Sequence, residues 1–328
     1  MSVLVIGGDE VRRLLPVDEC IDVMAEALGA LAAGDAVQPL RQVVALPGAG
    51  HLIAMPAHVG GAIGAPAVKV LTVFPGNHER GLASHQGAVL LFDGEHGSLI
   101  AIVDAAPLTE VRTAAVSGLA TRLLARPDAG DLAILGSGVQ ARSHLRAMAA
   151  VRRLRRVRAW SRDADHAAAF AGWAVAELPG CPIETVASPG EAVRGADLVC
   201  TVTAACEPIV AGADLAAGAH LNVVGGYLPT CREVDGEAIA RARVFVDRRE
   251  SALREAGDLL LARAEGAISG DWIAGELGEL VLAACAGRRS PEEITLFKSL
   301  GLAVEDAAAA HRVHARAREL GAGTTVEL

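Results

Sequence analysis

In the middle of the chain, hydrophobic positions recur as short apolar runs separated by helical or turn segments. Alternation of this kind is typical of a doubly wound parallel sheet, in which both faces of each strand are covered by crossovers. The pattern therefore predicts an α/β fold of Rossmann type for this region. The predicted strands are 132–135, 157–160, 183–186, 198–202, 220–224 and 244–246.

The first third of the chain has a different pattern. A helix is predicted after Pro16, and a second helical pattern covers 107–125. At the other end of the chain, a final helix is predicted at 303–320. Between the first two helices, short segments punctuated by proline and glycine predict a meander of strands, which indicates a separate α+β unit. The predicted strands are 40–46, 51–55, 67–73 and a hairpin of 88–92 with 99–103.

The clearest motif follows the first strand of the α/β region. It has the spacing Gly136-x-Gly138-x-x-Ala141, and a helical pattern starts immediately after it. In dinucleotide-binding turns of this spacing, the first glycine permits the sharp turn and the second lets the backbone approach a pyrophosphate. The first-turn N–H groups of the helix then face the phosphates. The motif predicts a dinucleotide site.

The end of the second strand indicates which dinucleotide binds. An acid there suits the ribose hydroxyl of NAD, whereas a basic group suits the 2′-phosphate of NADP. Ser161 stands in the place of the acid and Arg162 follows it, so NADP(H) is favoured over NAD(H), although Asp163 argues for the opposite. A second possible role for Arg162 is to cap the next helix. Ligands bind at the carboxyl ends of such strands. The residues there are Gly136, Gly138, Ser161, Arg162, Thr203, Gly225 and Tyr227.

Three cations interrupt apolar segments of the first third. Lys69 lies within a predicted strand, Arg112 within a predicted helix, and Arg41 beside a short strand. A lysine within an apolar strand is rarely without a partner, and arginine binds carboxylates through two parallel hydrogen bonds. These residues predict a clamp for a substrate carboxylate. Taken alone, they fit ordinary surface or interface cations equally well.

Composition excludes several classes of function. The chain has 328 residues, a net charge of −9 and 52% hydrophobic residues, which argues against nucleic acid as a partner and predicts a large core. No basic segment precedes Asp9, and no uncharged run is long enough and free of glycine to span a membrane. The six cysteines form no CxxC pair, so we expect reduced thiols in a cytoplasmic protein. His311 and His314 lack further ligands, and no metal site is predicted.

Several stretches together resemble the ornithine cyclodeaminase/μ-crystallin family, in the same order and over nearly the whole chain. The resemblance implies a homodimer. It also implies a substrate-binding and dimerisation domain at 1–113 with 306–328, and a dinucleotide-binding Rossmann domain at 114–305. The stretches are AVKVLTVFPGN, SHQGAVLLFD, LTEVRTAAVSGLATRLLAR, ILGSGVQARSH, VVGGYLPTCREVD and TLFKSLGLAVED.

The resemblance also assigns roles to individual residues. Lys69, Arg112 and Tyr227 are its candidate catalytic residues. Tyr227 and Cys231 stand where cyclodeaminases have an aspartate and a lysine, which puts an ornithine-specific activity in doubt. The substrate carboxylate is expected at Arg41, Lys69 and Arg112, and the cofactor at Ser84, Gly136, Gly138, Val139, Gln140, Ser161, Arg162, Thr203, Gly225 and Ser299.

Four functions fit these residues. The favoured one is an NAD(P)H-dependent reductase of a 2-imino acid or a cyclic ketimine carboxylate such as pyrroline-2-carboxylate. A cyclodeaminase that uses bound NAD needs a well-placed base, and a tyrosine with a pKa near 10 is a poor one. The third function is that of an alanine dehydrogenase-like enzyme, and the fourth is that of a binding protein without activity. The partner in each case is a small imino or amino acid.

Overall fold

The secondary structure comes from a computed structural model that describes residues 2–47, 50–61, 63–226 and 228–328, with the backbone alone at residues 75, 78 and 79. Its strands are β1 (Ser2–Ile6), β2 (Ala36–Val37), β3 (Gln42–Leu46), β4 (Gly50–Val59), β5 (Ala65–Val73), β6 (His85–Phe92), β7 (Leu99–Asp104), β8 (Asp131–Leu135), β9 (Arg156–Trp160), β10 (Ile183–Thr185), β11 (Leu198–Thr201), β12 (His220–Val223), β13 (Ala242–Val246), β14 (Ile273–Glu276), β15 (Ile294–Lys298) and β16 (Thr324–Glu327).

The helices connect these strands. In the described residues they are α1 (Gly8–Leu14), α2 (Val17–Ala33), α3 (Ala105–Leu124), α4 (Val139–Val151), α5 (Ala164–Glu177), α6 (Pro189–Val193), α7 (Gly236–Arg241), α8 (Arg249–Glu255), α9 (Gly257–Ala264), α10 (Leu277–Val281) and α11 (Ala303–Leu320), with 3₁₀ turns at Pro75–Arg80 and Gly212–Asp214. None of them is long and apolar enough to cross a membrane.

The chain divides into two compact units. The first unit contains 1–112 and 301–328, and the second contains 113–300. The boundaries expected from the sequence, 113/114 and 305/306, lie slightly further along the chain. The first boundary between the units falls inside α3. Because a continuous helix carries no turn residues at that point, no local sequence signal marks this boundary.

The first unit is built on an eight-stranded mixed sheet in the order β16-β1-β7-β6-β5-β4-β2, with β3 paired to β4. The predicted meander of β4 to β7 is confirmed, and so is the helix after Pro16, which ends at Gly34 in a left-handed conformation. α11 packs on β4, β5, β6 and α2, and its alanine-rich buried side permits close approach to the sheet. Strands β1 and β16 are not predicted by the sequence pattern, because each is short and lies at a terminus.

Residues on β5 alternate regularly between the two faces of this sheet. One face, which includes Lys69, is buried. The other carries half-exposed apolar side chains, and Val44 of β3, the register partner of Leu52 on β4, is 54% exposed. A sheet face of this composition needs a cover in solution. The half-exposed residues are Leu52, Pro56, Pro66, Val68, Val70, Leu90 and Phe92.

The second unit contains an eight-stranded sheet in the order β10-β9-β8-β11-β12-β15-β13-β14, and every pairing is parallel. The six predicted strands are confirmed, and the order reverses direction between β8 and β11, where ligands bind in such sheets. Strands β14 and β15 are not among the predicted ones. β15 lies between β12 and β13, and its last residue, Lys298, is a fully buried charge, which is rare in a strand.

The prediction that all six cysteines are reduced is wrong for two of them. Cys206 and Cys231 form a disulfide across 25 residues of sequence, whereas Cys20, Cys181, Cys200 and Cys285 are free. The two bonded cysteines lie in the segments that follow β11 and β12. Because these strands are neighbours in the sheet, the segments after them meet, although the residues are far apart in sequence.

Candidate active site

The predicted phosphate turn follows β8 as expected. Gly136 has a φ of +126°, and a Cβ there would lie 2.7 Å from the carbonyl oxygen of Val202, so glycine is required. Gly138 is the N-cap of α4, and no side chain caps the helix at this position. A Cβ on Gly138 would meet no described atom within 4 Å. The first turn of α4 therefore presents its N–H groups into open space, which fits a pyrophosphate.

The first residues of α4 face this space. The side chain of Val139 is 59% exposed. The Oε1 atom of Gln140 is buried without a hydrogen-bond partner among the described residues. The exposed Val139 is therefore accessible to a bound dinucleotide, whereas the oxygen of Gln140 is not accessible in this structure.

The end of β9 carries the residues expected to select the cofactor. Ser161 Oγ accepts a hydrogen bond from Ser137 Oγ at 3.0 Å, which joins it to the phosphate turn. The carboxylate of Asp163 caps α5 by accepting hydrogen bonds from the backbone N–H groups of Asp165 and His166. These hydrogen bonds hold the pKa of Asp163 below its ordinary value. Asp163 rather than Arg162 is the helix cap, and Arg162 is an exposed cation.

A fully buried carboxylate joins the ends of β11 and β12. Glu233 accepts four hydrogen bonds of 2.7 Å, from the hydroxyl of Thr201, the N–H and hydroxyl of Thr203, and the N–H of Gly225. Burial raises the pKa of Glu233, while the charge of Lys298 and these hydrogen bonds act against that rise. Two of the predicted cofactor residues, Thr203 and Gly225, are thus held by one side chain.

Two further buried charges adjoin Glu233. Asp258 Oδ1 accepts hydrogen bonds from the backbone N–H groups of Glu233 and Val234, and Asp258 Oδ2 lies 2.9 Å from Lys298 Nζ. Lys298 ends β15 and precedes Ser299, another predicted cofactor residue, whose N–H donates to the carbonyl oxygen of Val223. We call Glu233, Asp258 and Lys298 the strand-end cluster. It connects the carboxyl ends of three neighbouring strands.

The predicted substrate cations belong to the first unit and meet at the start of α11. Lys69 Nζ lies 2.6 Å from Asp306 Oδ2, while Arg112 donates from Nε to Asp306 Oδ1 at 2.9 Å and from an Nη atom to Glu305 Oε2 at 2.9 Å. All four side chains are at least 95% buried. A buried ion pair retains its charges only with close partners, so this arrangement fixes both cations.

Arg41 completes the group. It donates to the carbonyl oxygen of Gly301 at 3.1 Å, and a Cβ on Gly301 would collide with the guanidinium of Arg112, 2.6 Å away. We call Arg41, Lys69 and Arg112 with Glu305 and Asp306 the buried charge cluster. Its named members are three cations and two carboxylates.

Electrostatics distinguish the members of this cluster. Burial lowers the pKa of Lys69 to about 8, while the carboxylate of Asp306 acts to raise it. Burial alone would raise the pKa of Asp306, but the charges of Arg112 and Lys69 hold it below its ordinary value. Lys69 is therefore protonated at neutral pH and loses its charge as the pH rises through about 8.

Not every predicted residue joins these groups. Ser84 lies just before β6, where its hydroxyl is 3.0 Å from His85 Nδ1, whereas the register partner of Lys69 on β6 is Val89. Ser84 and Lys69 are thus separated by about five residues of strand, or roughly 17 Å. Tyr227 lies outside the described residues. Within the described chain, no group of three or more potential ligands could hold a metal ion.

The carboxylates that hold the cations are not predicted from the sequence. Glu305 and Asp306 open α11, where acidic residues are common because they complement the helix dipole. Their signal is the apolar character of the residues around them, which places both acids on a buried helix. Glu233 is not predicted either, because it follows polar residues in a loop.

The fold and these residues define a class of protein. A parallel sheet with a glycine turn at its switch point is a dinucleotide-binding domain of Rossmann type, here combined with an α+β unit that buries a cluster of cations. More narrowly, the chain belongs to the ornithine cyclodeaminase/mu-crystallin family, whose model matches residues 3–321.

Known proteins similar to this chain agree with that placement. The ketimine reductase mu-crystallin of Mus musculus is 42% identical over 282 residues, covering 86% of this chain and 85% of the mouse protein. The Delta(1)-pyrroline-2-carboxylate reductase of Thermococcus litoralis, solved with NADH and L-proline, is 36% identical with a TM-score of 0.95, covering 99% of this chain and 100% of that one. An archaeal alanine dehydrogenase dimer with bound NAD is 30% identical with a TM-score of 0.94, and each chain is covered completely.

Proposed function

We propose that this protein is an NAD(P)H-dependent reductase of 2-imino acids, with cyclic ketimine carboxylates such as pyrroline-2-carboxylate as the preferred substrates. The observation that supports the proposal is the buried charge cluster, in which three cations accompany two carboxylates. Within the proposal, these cations also bind the carboxylate of the substrate. Support also comes from two relatives that are named as reductases of this type, the mouse and Thermococcus proteins.

The reaction needs little acid–base chemistry from the protein. The phosphate turn at Gly136 and Gly138 would hold a dinucleotide, whose reduced nicotinamide would supply the hydride for the carbon of a protonated C=N bond. The nitrogen keeps its proton and becomes the amine. Arg112 and Lys69 are held rigidly by Asp306 and Glu305, so they bind the substrate carboxylate without first being ordered. The imine carbon is bonded to the carboxylate carbon, so cations that hold the carboxylate also orient the imine carbon.

The proposal includes a preference for NADP(H) over NAD(H). Arg162 is exposed and not needed as a helix cap, while the nearest acid, Asp163, is already used as a cap. Ser161 leaves space for a 2′-phosphate and adds no negative charge.

A cytoplasmic location is also part of the proposal. It rests on the four free cysteines, whereas the Cys206–Cys231 disulfide is of a kind found mainly in oxidising compartments.

A homodimer is the expected assembly. The half-exposed apolar face of the sheet in the first unit is large, and a second copy of this chain is the occupant that matches its extended apolar strands. The archaeal alanine dehydrogenase, which shares the fold at 30% identity, is itself described as a dimer.

A substrate panel tests the proposed reaction. NADPH oxidation is measured with pyrroline-2-carboxylate, with 2-oxo acids plus an amine, and with pyruvate plus ammonia. Release of ammonia and proline is measured with ornithine and NAD, because a cyclodeaminase consumes no cofactor in the complete reaction. Lys69→Met and Arg112→Met should each lower kcat/KM for the imine by about tens- to several-hundred-fold, the loss expected for a charged hydrogen bond in a buried site. Efficient release of ammonia and proline from ornithine would contradict the reductase function.

A further inference from the structure

The strand-end cluster lies in the half of the second unit that does not contain the glycine turn. A doubly wound sheet binds a dinucleotide in two mononucleotide halves on either side of its switch point. Here β8, β9 and β10 carry the phosphate turn and the residues for the adenosine ribose. The strands β11, β12 and β15 therefore belong to the nicotinamide half, and Glu233 joins the first two of them.

From this placement we infer that Glu233 is a positioning residue for the nicotinamide half of the cofactor, an inference that rests on the proposed function. Its side chain is completely buried, so it touches no ligand itself. It acts through Thr203 and Gly225, whose N–H groups it holds at 2.7 Å. Both of these residues are expected to contact the cofactor.

The hydrogen-bond pattern requires a carboxylate at this position. One oxygen of Glu233 accepts from the N–H and hydroxyl of Thr203, and the other accepts from the N–H of Gly225 and the hydroxyl of Thr201. Each oxygen therefore faces one backbone N–H, which can only donate. Glutamine in either orientation would place its NH₂ group against one of those N–H groups and displace Thr203 or Gly225.

The strand-end cluster fixes the carboxylate itself. Asp258 accepts from the N–H of Glu233, and Lys298, which pairs with Asp258, offsets the negative charge of both acids. Lys298 also anchors the strand that leads into Ser299, a third expected contact of the cofactor. One buried cluster thus sets the positions of three predicted contacts on three adjacent strands.

The test compares a whole cofactor with half of one. Dissociation constants are measured for NADPH and for adenosine 2′,5′-bisphosphate, which contains only the adenosine half. Glu233→Gln should weaken NADPH binding by about 10- to 100-fold, the effect of losing a charged hydrogen bond, and leave the bisphosphate unchanged. A general loss of structure would weaken the binding of both ligands.

Two more variants keep the test informative if Glu233→Gln folds poorly. Thr201→Val removes one hydrogen bond to Glu233 at a residue not expected to touch the cofactor, and should weaken NADPH binding by about 3- to 10-fold, with the bisphosphate again unaffected. Asp197→Asn is the matched control. Asp197 accepts from the N–H groups of Gly130 and Asp131 at the opposite end of the sheet, so its loss should lower Tm without changing either dissociation constant.

The outcomes separate this inference from the proposed function. Selective loss of NADPH affinity in Glu233→Gln and Thr201→Val supports the positioning role. Unchanged NADPH affinity, or equal weakening of both ligands, would overturn it while the reductase function stands. Failure of the unaltered protein to bind either NADPH or NADH would instead contradict the proposed function, and this inference with it.

Discussion

Asparagine at position 306 would remove one negative charge from the buried charge cluster and preserve the size of the side chain. Asp306 contacts Lys69 at 2.6 Å and also accepts from Arg112 at 2.9 Å. Burial lowers the pKa of Lys69 to about 8, and Asp306 is the strongest influence against that fall. The variant should therefore lower the pKa of Lys69 further.

The size of this effect follows from the contact that is lost. A hydrogen bond between charged groups contributes about 1.5–3 kcal/mol, and one pKa unit corresponds to about 1.36 kcal/mol. Both side chains are 98% buried or more, so solvent screens the interaction little. The pKa of Lys69 should thus fall by about one to two units, from about 8 to about 6–7.

The direction of the pH dependence follows from the charged form of Lys69. In the proposed function, protonated Lys69 binds the substrate carboxylate, so kcat/KM should be retained below the pKa and lost as the pH rises through it. The assay measures NADPH oxidation with pyrroline-2-carboxylate from acidic to alkaline pH, for the variant and the unaltered protein. Protonation of the substrate affects both equally, so the ratio of their kcat/KM values isolates the contribution of Lys69.

Glu305→Gln provides the matched control. Glu305 contacts Arg112 at 2.9 Å and is not among the largest influences on the pKa of Lys69. It should raise KM while the alkaline fall in kcat/KM stays at the same pH. The assigned role of Asp306 is refuted if the alkaline fall occurs at the same pH in Asp306→Asn and the unaltered protein, or if Glu305→Gln moves it equally.

Three further predictions concern other parts of the chain. Ser161→Asp should reverse the cofactor preference, as measured by titration with NADPH and NADH; equal binding of both cofactors by the unaltered protein would contradict the assigned role of Arg162. Val70→Asp, on the half-exposed apolar face of the first unit's sheet, should convert the proposed dimer into monomers in sedimentation experiments, and a monomeric unaltered protein would refute the proposed interface. Alkylation of the denatured, unreduced protein should label four of the six cysteines, whereas labelling of all six would exclude the disulfide.

Elements governed by local periodicity can be predicted from the sequence. The periodicity predicts the final helix at 303–320, and α11 begins and ends at those residues, because its apolar stripe repeats with helical spacing and Gly321 ends it. The phosphate turn is predictable for a similar reason, since the conformation at Gly136 is available to few other residues.

The groups that organise the site depend on long-range packing and cannot be predicted in the same way. Lys69 and Asp306 are far apart in sequence, and their pairing arises only when α11 packs on β5. Glu233 follows a polar loop, where a glutamate is normally solvated. The Cys206–Cys231 disulfide depends on the order of strands in the sheet, and cysteine spacing carries no information on it.

The proposed transfer of a hydride from a reduced nicotinamide to an imine carbon is tested most directly by isotope labelling. The protein is incubated with pyrroline-2-carboxylate and NADPH deuterated at C4, with each of the two C4 positions labelled in turn, and the amino acid is analysed by mass spectrometry and NMR. The expected result is proline with one deuterium at Cα from one of the two labelled cofactors. Unlabelled proline from both, or proline and ammonia formed from ornithine without consumption of NADPH, would contradict the claim.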